Sequence, residues 1–355
     1  MTKKILHIID SLETGGAEIL LIGLVNGMKQ YDHFILTLTP KNDFNIQINA
    51  KIECVNYRGK IDTLKAISHI NSIIKSNGID LVHTHLLTST FLGRLGKPSK
   101  TKLVFSVHNI LSESAFKVSK LSWLLEKITY RGIHHVIFVS QEAKKDYDKS
   151  IGLKGNSSVI YNYVEDNFFD NNLETGVRPG SDSPLKLVAV GSLKSQKNYH
   201  FLISSLVDYE GDVQLDIYGD GPLRKSLHEY IHLLGIHQKV RLMGKHKKIS
   251  TILPAYDLYV MASTYEGFGI APLEALASSI PALLSEIPVF KEVIGDNAIF
   301  FDPKSKEDFN SKLLQLQSKP TLRHKLSKTG RERAEEIGKK VDYIRKIDQL
   351  YNRYI

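Results

Sequence analysis

Short apolar runs alternate with helical patterns along the whole chain, and that alternation restricts it to α/β architecture with largely parallel sheets. Ile5–Ile9 reads as a strand followed by an amphipathic helix at Ile19–Met28. Asp80–His83, Leu103–Val107 and Val136–Val139 are further strands of the first half. The polar, turn-rich stretch NNLETGVRPGSDSP at Asn171–Pro184 reads as a linker or edge loop. The pattern then restarts with strands at Leu185–Val190, Leu215–Tyr218, Leu258–Met261 and Ile280–Leu284. From Leu322 to Ile355 the chain is helical and charged, with no strand left to feed.

At 355 residues the chain exceeds one ordinary core and suits two domains of roughly 150–180 residues each. A hydrophobic fraction of 42% and a charged fraction of 24% are those of a soluble globular protein. The one cysteine, Cys54, excludes an intrachain disulfide and suits a reducing compartment. MTKKILHIID reads as a first strand, its apolar run being too short for a signal peptide, and no stretch approaches a membrane span. A cytoplasmic protein, at most peripheral on a membrane, is expected. The net charge of +9 asks for an acidic partner. Its basic residues are scattered rather than gathered into an arm or block, which argues against nucleic acid.

Three glycine-containing loops each follow a strand and open a helix: Thr14–Glu18, Gly191–Lys197 and Glu266–Gly269. Ligands of open α/β sheets bind at the carboxyl ends of the strands, where such loops lie. A helix N-terminus offers unpaired N–H groups and a positive dipole end, so it suits a phosphate, and glycine lets the backbone come close. Within the third loop Glu266 and Glu274 bracket Gly267, Gly269 and Pro272. Pro272 fits the first turn of a helix starting near Gly269–Ile270. The two carboxylates can then flank one ligand and accept hydrogen bonds from sugar or ribose hydroxyls.

The spacing of Glu266 and Glu274 resembles the E-x7-E signature of retaining glycosyltransferases of family 4, which have the GT-B fold. Other segments resemble the family in the expected order: GGAE at Gly15–Glu18, SVHN at Ser106–Asn109, FVSQEAKKDY at Phe138–Tyr147 and VIYNYVEDNFF at Val159–Phe169. The second half adds VGSLKSQKN, IYGDGPLRKSL at Ile217–Leu227 and VRLMGK at Val240–Lys245. The resemblance implies two Rossmann-like domains whose parallel sheets face each other across a cleft. Residues 1–175 would bind the acceptor, residues 176–335 the nucleotide sugar, and 336–355 would form a helix crossing back to the first domain. It also implies roles. Glu274 would hold the ribose hydroxyls, Glu266 and His108 would contact the donor sugar, and Lys197 would pair with the diphosphate. Gly267, Phe268 and Gly269 would supply backbone N–H groups, and Gly15 and Gly16 would lie near the diphosphate and acceptor. The implied reaction is metal-independent transfer of a hexosyl or N-acetylhexosaminyl group, with retention, in cell-surface polysaccharide synthesis. The donor would be a nucleotide sugar, UDP favoured over GDP, with no further cofactor. The acceptor would be a glycan or a lipid-linked glycan.

In one respect the chain departs from the family pattern: Ser192 stands where an arginine is common, and Lys194 is a candidate substitute. Asp146-Tyr147-Asp148 is a D-x-D, but in the lysine-rich stretch AKKDYDKS it reads as a solvated face. His83 and His85 are expected on opposite faces of their strand, with no metal between them. His134 and His135 are expected at a helix end. Ala115–Arg131 reads as a helix with Lys117, Lys120, Lys127 and Arg131 in one stripe and apolar flanks, suited to an anionic membrane surface. Competing functions are a GT-B sugar phosphorylase, a nucleotide-sugar epimerase, and a basic nucleic-acid-binding module.

Overall fold

A computed structural model describes residues 2–170 and 184–355. The domain boundary expected at 175/176, and residues 171–183 of the expected linker, lie outside the described residues. The chain forms two compact units, Met1–Asn162 with Val341–Ile355, and Tyr163–Lys340.

The N-terminal unit is built on strands β1 (Lys3–Ile9), β2 (Tyr31–Thr37), β3 (Lys51–Cys54), β4 (Leu81–His85), β5 (Lys102–Val107), β6 (His135–Phe138) and β7 (Ser157–Val159). They form one parallel sheet in the order β3-β2-β1-β4-β5-β6-β7. Central strands such as β4 are buried at every residue, as a sheet covered by helices on both faces requires. The edge strand β3 instead exposes Lys51 and Glu53, charges that discourage pairing with another chain. His135 opens β6 rather than ending a helix, and its ring lies between the hydroxyls of Tyr354 and Ser158. The last helix, Lys340–Tyr351, packs on this sheet. Its Asp348 accepts hydrogen bonds from Tyr31 and Gln30 at 2.7 and 3.0 Å, and its buried Tyr351 hydroxyl lies 2.6 Å from His83 Nδ1.

The second unit carries β8 (Leu185–Val190), β9 (Val213–Tyr218), β10 (Val240–Gly244), β11 (Leu258–Met261), β12 (Ala282–Ser285) and β13 (Ile299–Phe301). Their order, again parallel, is β10-β9-β8-β11-β12-β13. The segment from Tyr163 belongs here because it is tied to the helix Pro320–Ile337 and to the residues just beyond that helix. Val164 N–H donates to the Gly338 carbonyl, Arg331 donates to the Phe169 carbonyl, and Lys340 pairs with Glu165 at 2.8 Å.

In each sheet the strand order reverses once, between β1 and β4 in the first and between β8 and β11 in the second. A crevice opens at the carboxyl ends of strands where the connections diverge in this way. The loops after β8 and β11 are the Lys197 and Glu266 loops of the sequence. The short helix Ile270–Ala277 after the second of them is fixed by close packing. A Cβ on Gly330 would come within 2.7 Å of Leu276, and Arg331 and Ser327 donate to the carbonyls of Ala277 and Ser279 at its C-terminal end.

The segment expected as one helix over Ala115–Arg131 is two helices, Ala115–Val118 and Lys120–Thr129. Ser119 takes an extended backbone and its side chain accepts from the N–H of Ser122, so it caps the second helix and ends the first. The basic stripe is therefore interrupted. Val118, Leu121, Leu124 and Ile128 remain exposed, whereas Trp123 is tied down by a 2.8 Å bond to the Ser150 carbonyl.

Candidate active site

In the second unit the geometry centres on the Glu266 carboxylate. It accepts from Lys197 Nζ at 2.6 Å, Ser263 Oγ at 2.7 Å and Gln196 Nε2 at 3.1 Å. Gln196 Nε2 also reaches the Tyr265 carbonyl, and Thr264 N–H donates to the Gln196 carbonyl at 2.9 Å. The two loops on either side of the strand reversal are thus laced together by backbone and side chain. Glu266 is only 7% exposed, so without these donors its charge would be costly to bury. The resemblance assigned Lys197 to a diphosphate; here its ammonium rests on Glu266. Ser263 and Gln196 had no signal in the sequence, since a serine and a glutamine in loops carry none.

Gly269 caps the helix Ile270–Ala277 with φ +86°, and a Cβ there would stand 2.6 Å from the Phe290 ring. Two independent constraints therefore demand glycine. Phe268 points into the core and is 3% exposed, leaving its backbone as the part near the loop surface. Gly267 precedes it. Glu274, in the second turn, is half-buried and has no side-chain partner among the described residues. Burial, reinforced by the nearby Glu165 carboxylate, pushes its acid up to about 7. Ser192 and Lys194 are both exposed on the first loop.

In the N-terminal unit Gly15 and Gly16 open the helix Gly16–Gly27 directly after β1, and a Cβ on Gly15 would meet the Glu18 carboxylate. His108 follows β5 and is half-buried, with Nε2 enclosed and unpartnered. A cavity of about 230 Å³ beside it is lined mainly by apolar groups, including Leu86, Phe105, Leu111 and Ala115. At its wall lies an ion pair the sequence did not signal: both Arg94 guanidinium ends grip Glu126 at 2.7 and 2.8 Å, and the Tyr147 hydroxyl donates to the same carboxylate. Tyr147 of the D-x-D is thus buried, and Asp146 accepts from the N–H groups of Leu111 and Ser112, so only Asp148 lies on an exposed face.

The expectation for His83 and His85 is corrected. Residues two apart on a strand share a face, and the rings lie 4.1 Å apart. With His7 they place one nitrogen each within 4.8 Å of one another. Nitrogens of this group are already hydrogen-bonded: His83 to Tyr351 and Ser106, and His7 to His33 outside the group and to His85 within it.

Sequence comparison matches residues 14–168 to Glycosyltransferase Family 4 and residues 177–333 to Glycosyl transferases group 1. The chain belongs to the family 4 glycosyltransferases. An uncharacterized glycosyltransferase of Methanocaldococcus jannaschii is 26% identical over 353 residues, covering 94% of each chain. The O-antigen biosynthesis glycosyltransferase WclY of Escherichia coli is 24% identical over 85% of each. HepE of Anabaena, solved in complex with UDP and glucose, superposes with a TM-score of 0.86 at 19% identity, over 99% of this chain and 100% of that one. The fold is accordingly GT-B.

This glycosyltransferase holds seven histidines below their ordinary imidazole range. Burial holds His7, His83 and His85 well below the ordinary imidazole range, lowers His33, and pushes His108 and His135 down to about 4 and His134 to about 3. Unfolded, each would take a proton near pH 6.5, which the folded form refuses. Stability is therefore full above pH 6.5 and lost as pH falls toward 4, at about 1.4 kcal/mol per pH unit for each such proton. Glu274 works in the opposite direction, since its raised acid stabilises the fold below pH 4.5 and loses that effect as pH rises through 7, and burial raises Asp10 as well, but these are two groups against seven. Thermal melts from pH 7.5 to 5 should show a steeply falling Tm. A Tm flat across that range would mean these rings ionise in the folded state.

Proposed function

We propose that this glycosyltransferase moves a hexosyl or N-acetylhexosaminyl group from a UDP-sugar, with retention and without a metal, onto a glycan or lipid-linked acceptor of a cell-surface polysaccharide. The observation that carries this reading is the Lys197–Glu266 pair at the strand reversal, beside the glycine-opened helix that bears the unpartnered Glu274. UDP and glucose in HepE, and the O-antigen role of WclY, support the choice of donor and product.

In this reading Glu274 accepts the two ribose hydroxyls and the helix start faces the diphosphate. Lys197 turns from Glu266 to the diphosphate as negative charge grows there, which stabilises the leaving group. Glu266, already holding three donors, serves as a hydrogen-bond acceptor for the sugar rather than as a nucleophile. The anomeric carbon's bond to the phosphate oxygen breaks as its bond to the acceptor oxygen forms on the same face. The acceptor proton passes to the departing phosphate oxygen. His108 contacts the donor sugar. Gly15 and Gly16 approach the phosphates, and Gly267, Phe268 and Gly269 contribute backbone N–H groups. The apolar cavity beside His108 suits the aglycone of a lipid-linked acceptor.

Transfer assayed across a panel of UDP- and GDP-sugars, with and without EDTA, tests the reading directly. Activity with a UDP-sugar that survives chelation is expected, and Lys197→Ala should lower kcat by more than it raises KM. Transfer only from GDP-sugars, or loss on chelation restored by magnesium, would overturn the donor or the mechanism.

The raised acid of Glu274 adds a pH signature. Ribose hydroxyls bind the carboxylate and not the acid, so nucleotide binding should expel a proton and tighten as pH rises from 6 to 8. Calorimetry with UDP in two buffers of different ionisation enthalpy measures that proton. Glu274→Gln should bind more weakly, by about 1.5–3 kcal/mol for each lost charged hydrogen bond, and release none. Equal proton release by both proteins would remove Glu274 from the ribose.

The exposed Val118, Leu121, Leu124 and Ile128, with Lys117, Lys120 and Lys127 among them, support a peripheral contact with an anionic membrane near the acceptor-binding unit. The protein should sediment with vesicles containing phosphatidylglycerol and be released by salt. Replacing the three lysines by Gln should abolish this and leave UDP affinity unchanged. Sedimentation equal to wild type would assign the patch elsewhere.

A further inference from the structure

The helix Arg224–Leu233 carries a pattern that sugar transfer does not use: His228-Glu229-Tyr230-Ile231-His232, an H-E-x-x-H. That spacing has chemical meaning only on a helix, where residues four apart stand on one face, one turn above the other. The chain supplies the helix, and Leu227 and Ile231 fix it to the core of the second unit. His228 and His232 therefore project together at the surface, with ring centroids 4.6 Å apart. A third histidine, His237, comes from the turn between this helix and β10 and is also exposed. Its ring lies 5.6 Å from that of His232, at an interplanar angle of 18°.

All three rings line one cavity of about 850 Å³. Their nitrogens have no hydrogen-bond partner among the described residues. The cations of the cavity wall, by contrast, each face an acid. Arg241 pairs with Asp216 at 2.7 Å, Lys225 with Glu229 at 3.9 Å and Arg224 with Asp220 at 4.0 Å. These charges cancel in pairs, so a cation entering the cavity meets uncommitted imidazoles and little net repulsion.

His7, His83 and His85 hold their nitrogens closer together, within 4.8 Å, but that group is enclosed and its nitrogens are largely taken by hydrogen bonds. The surface group has the opposite character, with open access and free lone pairs. We propose that this cavity is a zinc site: His228 and His232 chelate the ion from one helical face, His237 turns to supply a third nitrogen, and water fills the fourth position. Glu229 stays with Lys225 and is not a ligand. The ion ties the helix to the turn that leads into β10, the edge strand of its sheet. Since β9 separates β10 from β8, the site stands apart from the Lys197–Glu266 pair and takes no part in transfer.

Tag-free full-length protein, stripped with EDTA and dialysed at pH 7.5, is titrated with Co2+, whose visible spectrum reports its coordination, and then with Zn2+. The expected result is a single Co2+ per chain with the intense band of a four-coordinate site, displaced by Zn2+. Zinc should also raise the Tm, because it binds the folded chain. His228→Gln and His232→Gln should each weaken zinc by about a hundredfold, and all variants should melt like the metal-free wild type. His237→Gln should weaken it by about tenfold and replace the intense cobalt band by the weak one of a six-coordinate ion. Absence of both the cobalt band and the zinc shift in the wild type overturns the proposal. So does full binding by a His228→Gln/His232→Gln double variant, which would move the ion to His7, His83 and His85. A His237→Gln spectrum identical to wild type would equally overturn the three-imidazole site.

Discussion

The second unit depends on keeping one carboxylate charged where water scarcely reaches it. Glu266 can be buried because an ammonium, a hydroxyl and an amide converge on it, and those donors come from both sides of the strand reversal. The interaction is therefore structural before it is chemical, since it draws together two loops that are 69 residues apart in sequence. The same arrangement holds a cation and an anion in readiness. In the reading proposed above, a ligand with a diphosphate and a hydroxyl would take each partner in exchange, so that the desolvation cost of the pair would be met in the free protein and again in the complex. Preorganisation of this kind is what catalysis of charge separation requires.

The backbone scaffold was legible where apolar runs were continuous. Leu185–Val190 and Leu258–Met261 are strands over the bounds the pattern suggests, because buried parallel strands need unbroken apolar side chains. Strands β2, β3, β7, β10 and β13 escaped notice: polar or charged residues break the apolar runs of the first four, His33, Glu53 and Arg241 among them, and β13 is only three residues long. The break at Ser119 was equally hidden, since helical periodicity continues across it while a capping hydroxyl decides the geometry.

Of the candidate site, the glycines and charged residues could be found from their places between strand and helix. The side chains that support them could not. Ser263, Gln196 and the Arg94–Glu126 pair have ordinary identities, and only the fold brings them together. The histidines were misjudged for a different reason: a two-residue spacing returns to the same face of a strand, so His83 and His85 join His7 in an apolar interior where ionisation is unfavourable. Their neutrality is a property of the sheet as a whole, and it turns acid pH into a threat to the fold.

Residues 341–355 complete the first unit although every residue of the second precedes them. The N-terminal sheet thus lacks the Tyr351 and Asp348 contacts throughout synthesis of the second unit. During translation, the unit made later can close first, while the unit made earlier waits for its final helix. A ribosome stalled after β7 but before Val341 would display an N-terminal sheet without the side chains that cover Tyr31 and His83, the kind of surface that chaperones hold. Assembly of the first unit is in that sense completed by residues made after the whole of the second.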